Sequence, residues 1–388
     1  MKEKLSSRER LLLAINNKEP DHVPLDLDFF GPLSGRWKDQ FQRAEELLSM
    51  EVDDTLRINP PYQGFHPEVK VKTWQEKRPG EEVPLLFKEY ETPKGKLSTV
   101  VRKTKDWPYG DDIPLISDFN IPRSKKFLIS EEEDLEKVPY LFGEPSKSEM
   151  ERFRQEAKAI KEFGRKHQLL IVGRQIWGGD TAAWLCGLEN LIFLAMDRPQ
   201  FMERLMEFMF AKANKTLELL LDLGVDVVFR RGWYETTDFW SPSLYRRFFA
   251  PYLKKEIEMC HQAGIKFAYA MSSGIMPLLS TFKELGIDIL YYIDPVQDRT
   301  MDLRRLKEEA GGVICLRGGV NSYITVELGS EEDIDAAVKN AISILAPGGG
   351  FILSAVDAVG MQPDAWDKVL LMIESWRRHR DFYDEREG

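Results

Sequence analysis

Cysteine and histidine are scarce, at three and five in 388 residues. Cys186, Cys260 and Cys315 are far apart and odd in number, so they build no disulfide framework, which points to a reducing compartment. A zinc centre needs three or four His, Cys or carboxylate ligands. The adjacent pair Cys260 and His261 falls late in a helical stretch ahead of Gly264, and a carboxylate-rich variant would have to run through Glu235. The expectation is therefore no metal. Long apolar runs are also lacking: nothing approaches the roughly 20 residues of a membrane span. The opening MKEKLSSRER has no signal-like apolar run, so a cytoplasmic location is expected. There is no long basic run, and 54 Lys and Arg against 64 Asp and Glu give a net charge of -10, which argues against a nucleic-acid partner, as the missing apolar span argues against a membrane one. GGVN and APGGG lack the spacing of a Walker A or dinucleotide fingerprint.

What the chain does have is alternation. Ser6 and Glu9 have the spacing of a capping box opening a helix over RERLLLAIN, and the following EPDHVP forces the backbone extended before its prolines. Eight short apolar runs then recur: VPLDLD (23–28), DTLRIN (54–59), LLIVGR (169–174), VDVVF (225–229), IKFAYA (265–270), IDILYY (287–292), VICLR (313–317) and GFILS (350–354). Each is too short for a helix and rich in β-branched or aromatic residues. Helical stretches separate them, three ending on Gly224, Gly264 and Gly286. Eight apolar strands joined by helices predict an α/β protein, a (β/α)8 TIM barrel, with a doubly wound open sheet as the structural rival. Residues 64–148 break the pattern. KVKTWQEK and FKEYETPKGKLSTVVRK read as hairpin strands around a PKGK turn, so residues 1–388 are expected to form one barrel domain with an inserted region after the second strand, placed to roof the active site.

Barrels carry their chemistry at the carboxyl ends of the strands. That rule selects Asp26 and Asp28, Arg57 and Asn59, then Arg174, Gln175, Trp177 and Asp180. Arg230, Arg231, Trp233, Glu235 and Asp238 follow, then Ser272, Ser273, Asp294, Arg317, Asn321, Ser354 and Asp357. Several arginines at one mouth imply an anionic or carboxylated ligand, because a planar guanidinium pairs bidentately with carboxylates. The alternative is that each arginine pairs with a local acid such as Glu235. Asp26 and Asp28 lie two apart on one strand and so point the same way, as a general acid pair would, although a capping role fits the same spacing. Trp177, Trp184, Trp233 and Trp240 would suit a planar or apolar ligand, or simply pack a core.

These motifs resemble one superfamily over nearly the whole chain. SSRERLLLAINNKEPDHVPLDL, FKEYETPKGKLSTVVRK, SPSLYRRFFAPYLKKEI, AGIKFAYAMSSGIMPLLSTFKELGIDIL, RGGVN, ELGSEEDIDAAVKNAI and APGGGFILS are similar, in order and spacing, to uroporphyrinogen decarboxylase (URO-D) and corrinoid methyltransferase superfamily members. The hairpin looks most like the methyltransferase branch. The resemblance implies a barrel, often a homodimer, acting on a small molecule. It would either decarboxylate a porphyrinogen or move a methyl group to or from a corrinoid presented by a partner protein, with no cofactor held tightly by the chain itself. Where the decarboxylases carry an arginine-rich R-Q-A-G-R-Y motif, LDLDFFGPLSGRW stands here, and DTLRINPPY lacks their F-S-D-I segment. The methyltransferase branch binds zinc through a His-x-Cys and a later Cys, positions matched here to Met271, Ser273 and Gly349. The expectation is a zinc-free methyltransferase with a small aromatic or carboxylated donor, with decarboxylation of a polycarboxylate or ligand binding without turnover as alternatives. Asp26, Asp28 and Glu235 are its candidate acids. Arg57, Asn59, Arg174, Gln175, Trp177, Arg230, Trp233, Ser273, Arg317 and Asn321 are its candidate substrate contacts.

Overall fold

Short runs of β-branched and aromatic residues bounded by glycine and proline become strands, and the longer amphipathic stretches between them become helices. A computed structural model describes residues 4–61 and 64–381. Within them the strands are β1 (Thr55–Ile58), β2 (Lys70–Glu76), β3 (Leu85–Thr92), β4 (Gly95–Arg102), β5 (Ser124–Lys126), β6 (Leu170–Gln175), β7 (Val227–Arg231), β8 (Lys266–Ala270), β9 (Ile289–Ile293), β10 (Cys315–Asn321) and β11 (Phe351–Val356). The chain divides into two compact units. One comprises Met1–Asn59, Gln155–Gln175 and Leu217–Gly388; the other comprises Pro60–Arg154 and Ile176–Thr216.

The first unit is α/β. Its seven strands form one curled parallel sheet in the order β1-β6-β7-β8-β9-β10-β11. Seven of the eight predicted runs are therefore strands, each within a few residues of its expected bounds. The eighth, 23–28, makes isolated bridges instead: Leu25 with Leu353, and Asp26 with Asp53. Pro24 has no N–H to give a ladder, and the Leu25 N–H is taken by the Asp53 carboxylate at 3.3 Å, so pairing toward β1 stops at a single bridge.

One face of the sheet packs against itself and against α1 (Ser7–Ile15). Val172, Phe229, Ala268, Ile289 and Ile352 form a cluster with Leu11, Ala14 and Ile15. The predicted capping box is present, with the Ser6 hydroxyl accepting from the Glu9 N–H and the Glu9 carboxylate accepting from the Ser6 N–H, an arrangement that contributes about 1 kcal/mol. The Arg8 N–H donates to the Gln168 carbonyl, just ahead of β6, so α1 lies at the amino ends of the strands. Arg10 is buried with its charge met by Asp21 at 2.7 Å and Asp53 at 2.7 Å. That leaves the carboxyl ends for chemistry.

In the second unit, β2-β3-β4-β5 form an antiparallel sheet. The predicted hairpin is there: Thr92 pairs with Gly95 across Pro93 and Lys94. Leu86 and Val101 on one face pack with Trp107 and Ile113. Trp74 and Phe87 stack on the other, their rings 5.1 Å apart.

Candidate active site

Alternation along the parallel strands decides which side chains meet. Val172 and Arg174 on β6, Phe229 on β7 and Arg317 on β10 line a cavity at the carboxyl ends, together with Thr55 and Arg57 of β1. Asp26 and Asp28 complete it, facing inward while Leu25 and Leu27 between them are buried on the other side. The cavity has a water-accessible volume of about 30 Å³.

Its charges interlock. Arg317 places Nε 2.8 Å from Asp26 Oδ2 and Nη2 3.2 Å from Asp28 Oδ2, and Nη2 also donates to the Asp26 carbonyl at 3.1 Å. Arg57 forms an ion pair with Asp28. Burial, then the neighbouring Arg174, lowers the Arg57 pKa, whereas Arg317 is held above its ordinary value: burial opposes its charge, but Asp26 and the two tyrosines outweigh it. Arg174 stands apart from this network, its guanidinium 5.3 Å from the centre of the Phe229 ring.

Two consecutive tyrosines, Tyr291 and Tyr292, line the cavity, which a regular strand does not allow. The register explains it. Arg317 pairs with Tyr291 but Gly318 pairs with Ile293, so Tyr292 is the extra residue of a β-bulge. Its φ is 71°, a conformation rare for a bulky side chain. The bulge turns the Tyr292 hydroxyl toward Asp28 Oδ2, at 3.3 Å. Burial raises the pKa of both phenols, that of Tyr291 to about 12, so both remain protonated near neutral pH.

The structure thus gathers Asp26, Asp28, Arg57, Arg174 and Arg317 from the expected set, with Trp233 beside them, its ring 5.4 Å from that of Tyr292. Other expected residues lie elsewhere. Arg230 follows Phe229 and so projects from the opposite face of β7, fully buried, with Glu235 at 3.1 Å and Glu256 at 3.3 Å. Glu235 also accepts from the Tyr269 hydroxyl at 2.5 Å, on the same helix-facing side. These two are a buried internal ion cluster, as the local-pairing alternative held. Gln175 is likewise buried on the face opposite Arg174, and Asn59 is exposed beyond β1. Trp177 belongs to the second unit, where its ring packs 5.0 Å from Phe142. Asn321 donates to Asp294 at 2.8 Å and accepts from the Ile324 N–H at 2.7 Å, capping the turn after β10. Ser273 is half-buried in the loop after β8, outside the cavity lining.

The zinc positions do not fit a metal. Met271 and Ser273 supply neither imidazole nor thiolate. Gly349 lies ahead of β11, at its amino end, where an added Cβ would meet the Lys18 carbonyl carbon at 2.5 Å; Ser354 and Asp357 occupy the carboxyl end instead. Among the described residues, no three His, Cys, Asp or Glu side chains are grouped to hold a metal ion.

A parallel α/β unit with carboxylates and guanidinium groups gathered at its strand ends has the layout of a barrel-type enzyme site. Residues 116–377 match the family model described as Uroporphyrinogen decarboxylase (URO-D). This is well over half of the chain, and the protein belongs to that family. Among solved structures, a methyltransferase from Methanosarcina mazei is similar, with a TM-score of 0.61 and 16% identity over 98% of this chain and 99% of that one. At that identity the likeness is one of fold. D-psicose 3-epimerase from Clostridium cellulolyticum H10 (TM-score 0.35, 10% identity, 57% of this chain and 75% of that one) and a sugar phosphate isomerase/epimerase from Parabacteroides distasonis (TM-score 0.32, 13% identity, 56% and 74%) are far more remote. No curated protein matches the sequence.

Proposed function

We propose that the protein is a URO-D-superfamily enzyme whose first unit closes as a (β/α)8 barrel, the 24–28 segment standing in the eighth strand position. The bridges from that segment to both edges of the sheet support this reading. We further propose that it is a methyltransferase, moving a methyl group from a small carboxylated or aromatic donor to a corrinoid presented by a partner protein. The observation that carries it is the Asp26 and Asp28 pair, set among guanidinium groups and a phenol at the strand ends. The partner's corrinoid would supply the nucleophile that accepts the methyl group.

This chain's task is then to make the leaving atom a better leaving group. At rest Asp28 is paired with Arg57 and Arg317. A donor whose carboxylate is held by Arg174 would bring its leaving atom beside Asp28. Asp28 then binds a proton and delivers it to the oxygen or nitrogen from which the methyl departs, while the bond pair stays with that atom. Tyr292 fixes the rotamer of Asp28 through its hydroxyl, and Asp26 fixes Arg317. Nothing in this route needs a metal.

Arg57, Arg174 and Arg317 in one cavity also favour a second reading, decarboxylation of a carboxylated substrate. The test mixes the purified protein with cob(I)alamin-loaded corrinoid protein and a panel of methoxybenzoates, followed by absorbance. Uroporphyrinogen is assayed in parallel for carbon dioxide and coproporphyrinogen. Methylcobalamin formation is the expected result. Carbon dioxide release would overturn the methyltransferase reading in favour of the second, and silence in both assays would favour a ligand-binding barrel or a substrate outside both panels.

A further inference from the structure

The cavity carries more positive charge than negative. Arg57, Arg174 and Arg317 line it against Asp26 and Asp28, one cation in surplus, and Tyr291 and Tyr292 add no negative charge because burial keeps them protonated. The surplus is localised. Arg317 and Arg57 are committed to the two aspartates, whereas among the described residues Arg174 is paired with no carboxylate and lies over the Phe229 ring. Nη1 of Arg317, in a side chain only 1% exposed, is a second donor without a hydrogen-bond partner among the described residues, beside two such acceptors, Oδ1 of Asp26 and Oδ1 of Asp28, of which the latter has Arg57 as its ion-pair partner. A guanidinium nitrogen kept dry and unsatisfied is costly unless a ligand completes it.

We propose that the cavity is a single-anion site for a small monocarboxylate, its head gripped by Arg174 and Arg317 Nη1 and its body laid against the rings of Phe229 and Tyr292. A planar carboxylate suits the guanidinium fork. One surplus charge matches one carboxylate, so a phosphate dianion or a polycarboxylate would bring uncompensated negative charge into a desolvated space. The volume of about 30 Å³ admits the head group and leaves the body toward the opening. Val172 and Phe229 offer that body an apolar wall, and the Tyr292 hydroxyl is already donated to Asp28, which favours an apolar body there. This inference rests on the cavity being the substrate site of the proposed enzyme, and it narrows the donor to one carrying a single carboxylate.

Calorimetric titration of the full chain with benzoate, its neutral isostere benzamide and the tricarboxylate citrate tests it without any turnover. Benzoate is expected to bind one per chain, at least tenfold more tightly than either of the others. Arg174→Gln, which breaks no ion pair, is expected to weaken benzoate at least tenfold while the melting temperature holds. Asp28→Asn removes one of the two negative charges lining the cavity and is expected to tighten benzoate several-fold, a gain that misfolding cannot imitate. No benzoate binding by folded protein, equal binding of benzamide, tighter citrate, or indifference to both substitutions would each overturn the proposal. Benzoate binding with these responses but no methyl transfer would sink the methyltransferase reading and leave the anion site standing.

Discussion

Tyr292 reaches Asp28 because Gly318 across the ladder has no side chain. The bulge that turns Tyr292 inward brings Gly318 so close to β9 that a Cβ there would meet the Ile293 nitrogen at 2.5 Å, and Gly318 itself has φ 142°. Strain in one strand and a bare backbone in the next are two halves of one device. Gly318→Ala is expected to lower unfolding stability by about 2 kcal/mol or more, through the clash and the disfavoured φ together. Urea denaturation reads this as a lower midpoint at unchanged slope; an unchanged midpoint would mean the strand relaxes freely and the bulge is not enforced.

Tyr292→Phe separates placement from chemistry. The ring keeps its packing, and one hydrogen bond of 3.3 Å is lost, a change of about 1 kcal/mol in stability at most. If the phenol positions Asp28 for proton delivery, methyl transfer to the corrinoid falls at least tenfold in kcat, while KM and benzoate affinity move less than about twofold. A matching rise in KM would instead make the hydroxyl a substrate contact.

The strand-end rule and the two-residue period made much of this cavity legible in the sequence. They placed Asp26 and Asp28 on one face, and Arg57, Arg174 and Arg317 at three strand ends. The same period sets Arg230 opposite Phe229, because β7 runs to Arg231, two residues beyond the apolar run VDVVF that marks the strand in the sequence. Tyr292 was not legible, since in a regular strand only one of two adjacent tyrosines faces inward, and a bulge is a property of the pair of strands. The adjacent Gly318 and Gly319, both at positive φ, were its only local trace. Order along the chain aligns Gly349 with a ligand position but says nothing of which end of a strand it occupies, and it lies ahead of β11.

The buried cluster on the far side of β7 has its own signature in pH. Burial raises Glu256 from an ordinary value of 4.5 to about 7 and, at the start of β1, Asp54 from 3.8 to about 6. Both groups bind protons more tightly folded than unfolded, so their contribution is full below about pH 4 and is lost as pH rises toward 7. For Glu256 the loss is roughly 1–3 kcal/mol. Denaturation of Glu256→Gln at pH 5 and pH 7.5 should show a smaller fall in stability than the parent protein over the same interval. Equal falls would mean that Arg230 keeps Glu256 ionised throughout.

Arg317 and Arg174 face the same cavity but should answer opposite questions when replaced. Arg317 is 1% exposed and holds Asp26, itself buried, at 2.8 Å. Arg317→Met leaves that carboxylate dry and unpaired, an expected cost of about 3 kcal/mol or more. Adding Asp26→Asn should recover a large part of it, a coupling of at least about 1 kcal/mol in the double-mutant cycle. Arg174→Gln breaks no ion pair and should stay within about 0.5 kcal/mol of the parent, while abolishing most of the affinity for a monocarboxylate. Measured side by side, stability should follow Arg317 and ligand affinity should follow Arg174. If Arg174→Gln proved the more destabilising of the two, its guanidinium would be a structural cation after all, and the cavity would have no charge left over for a ligand.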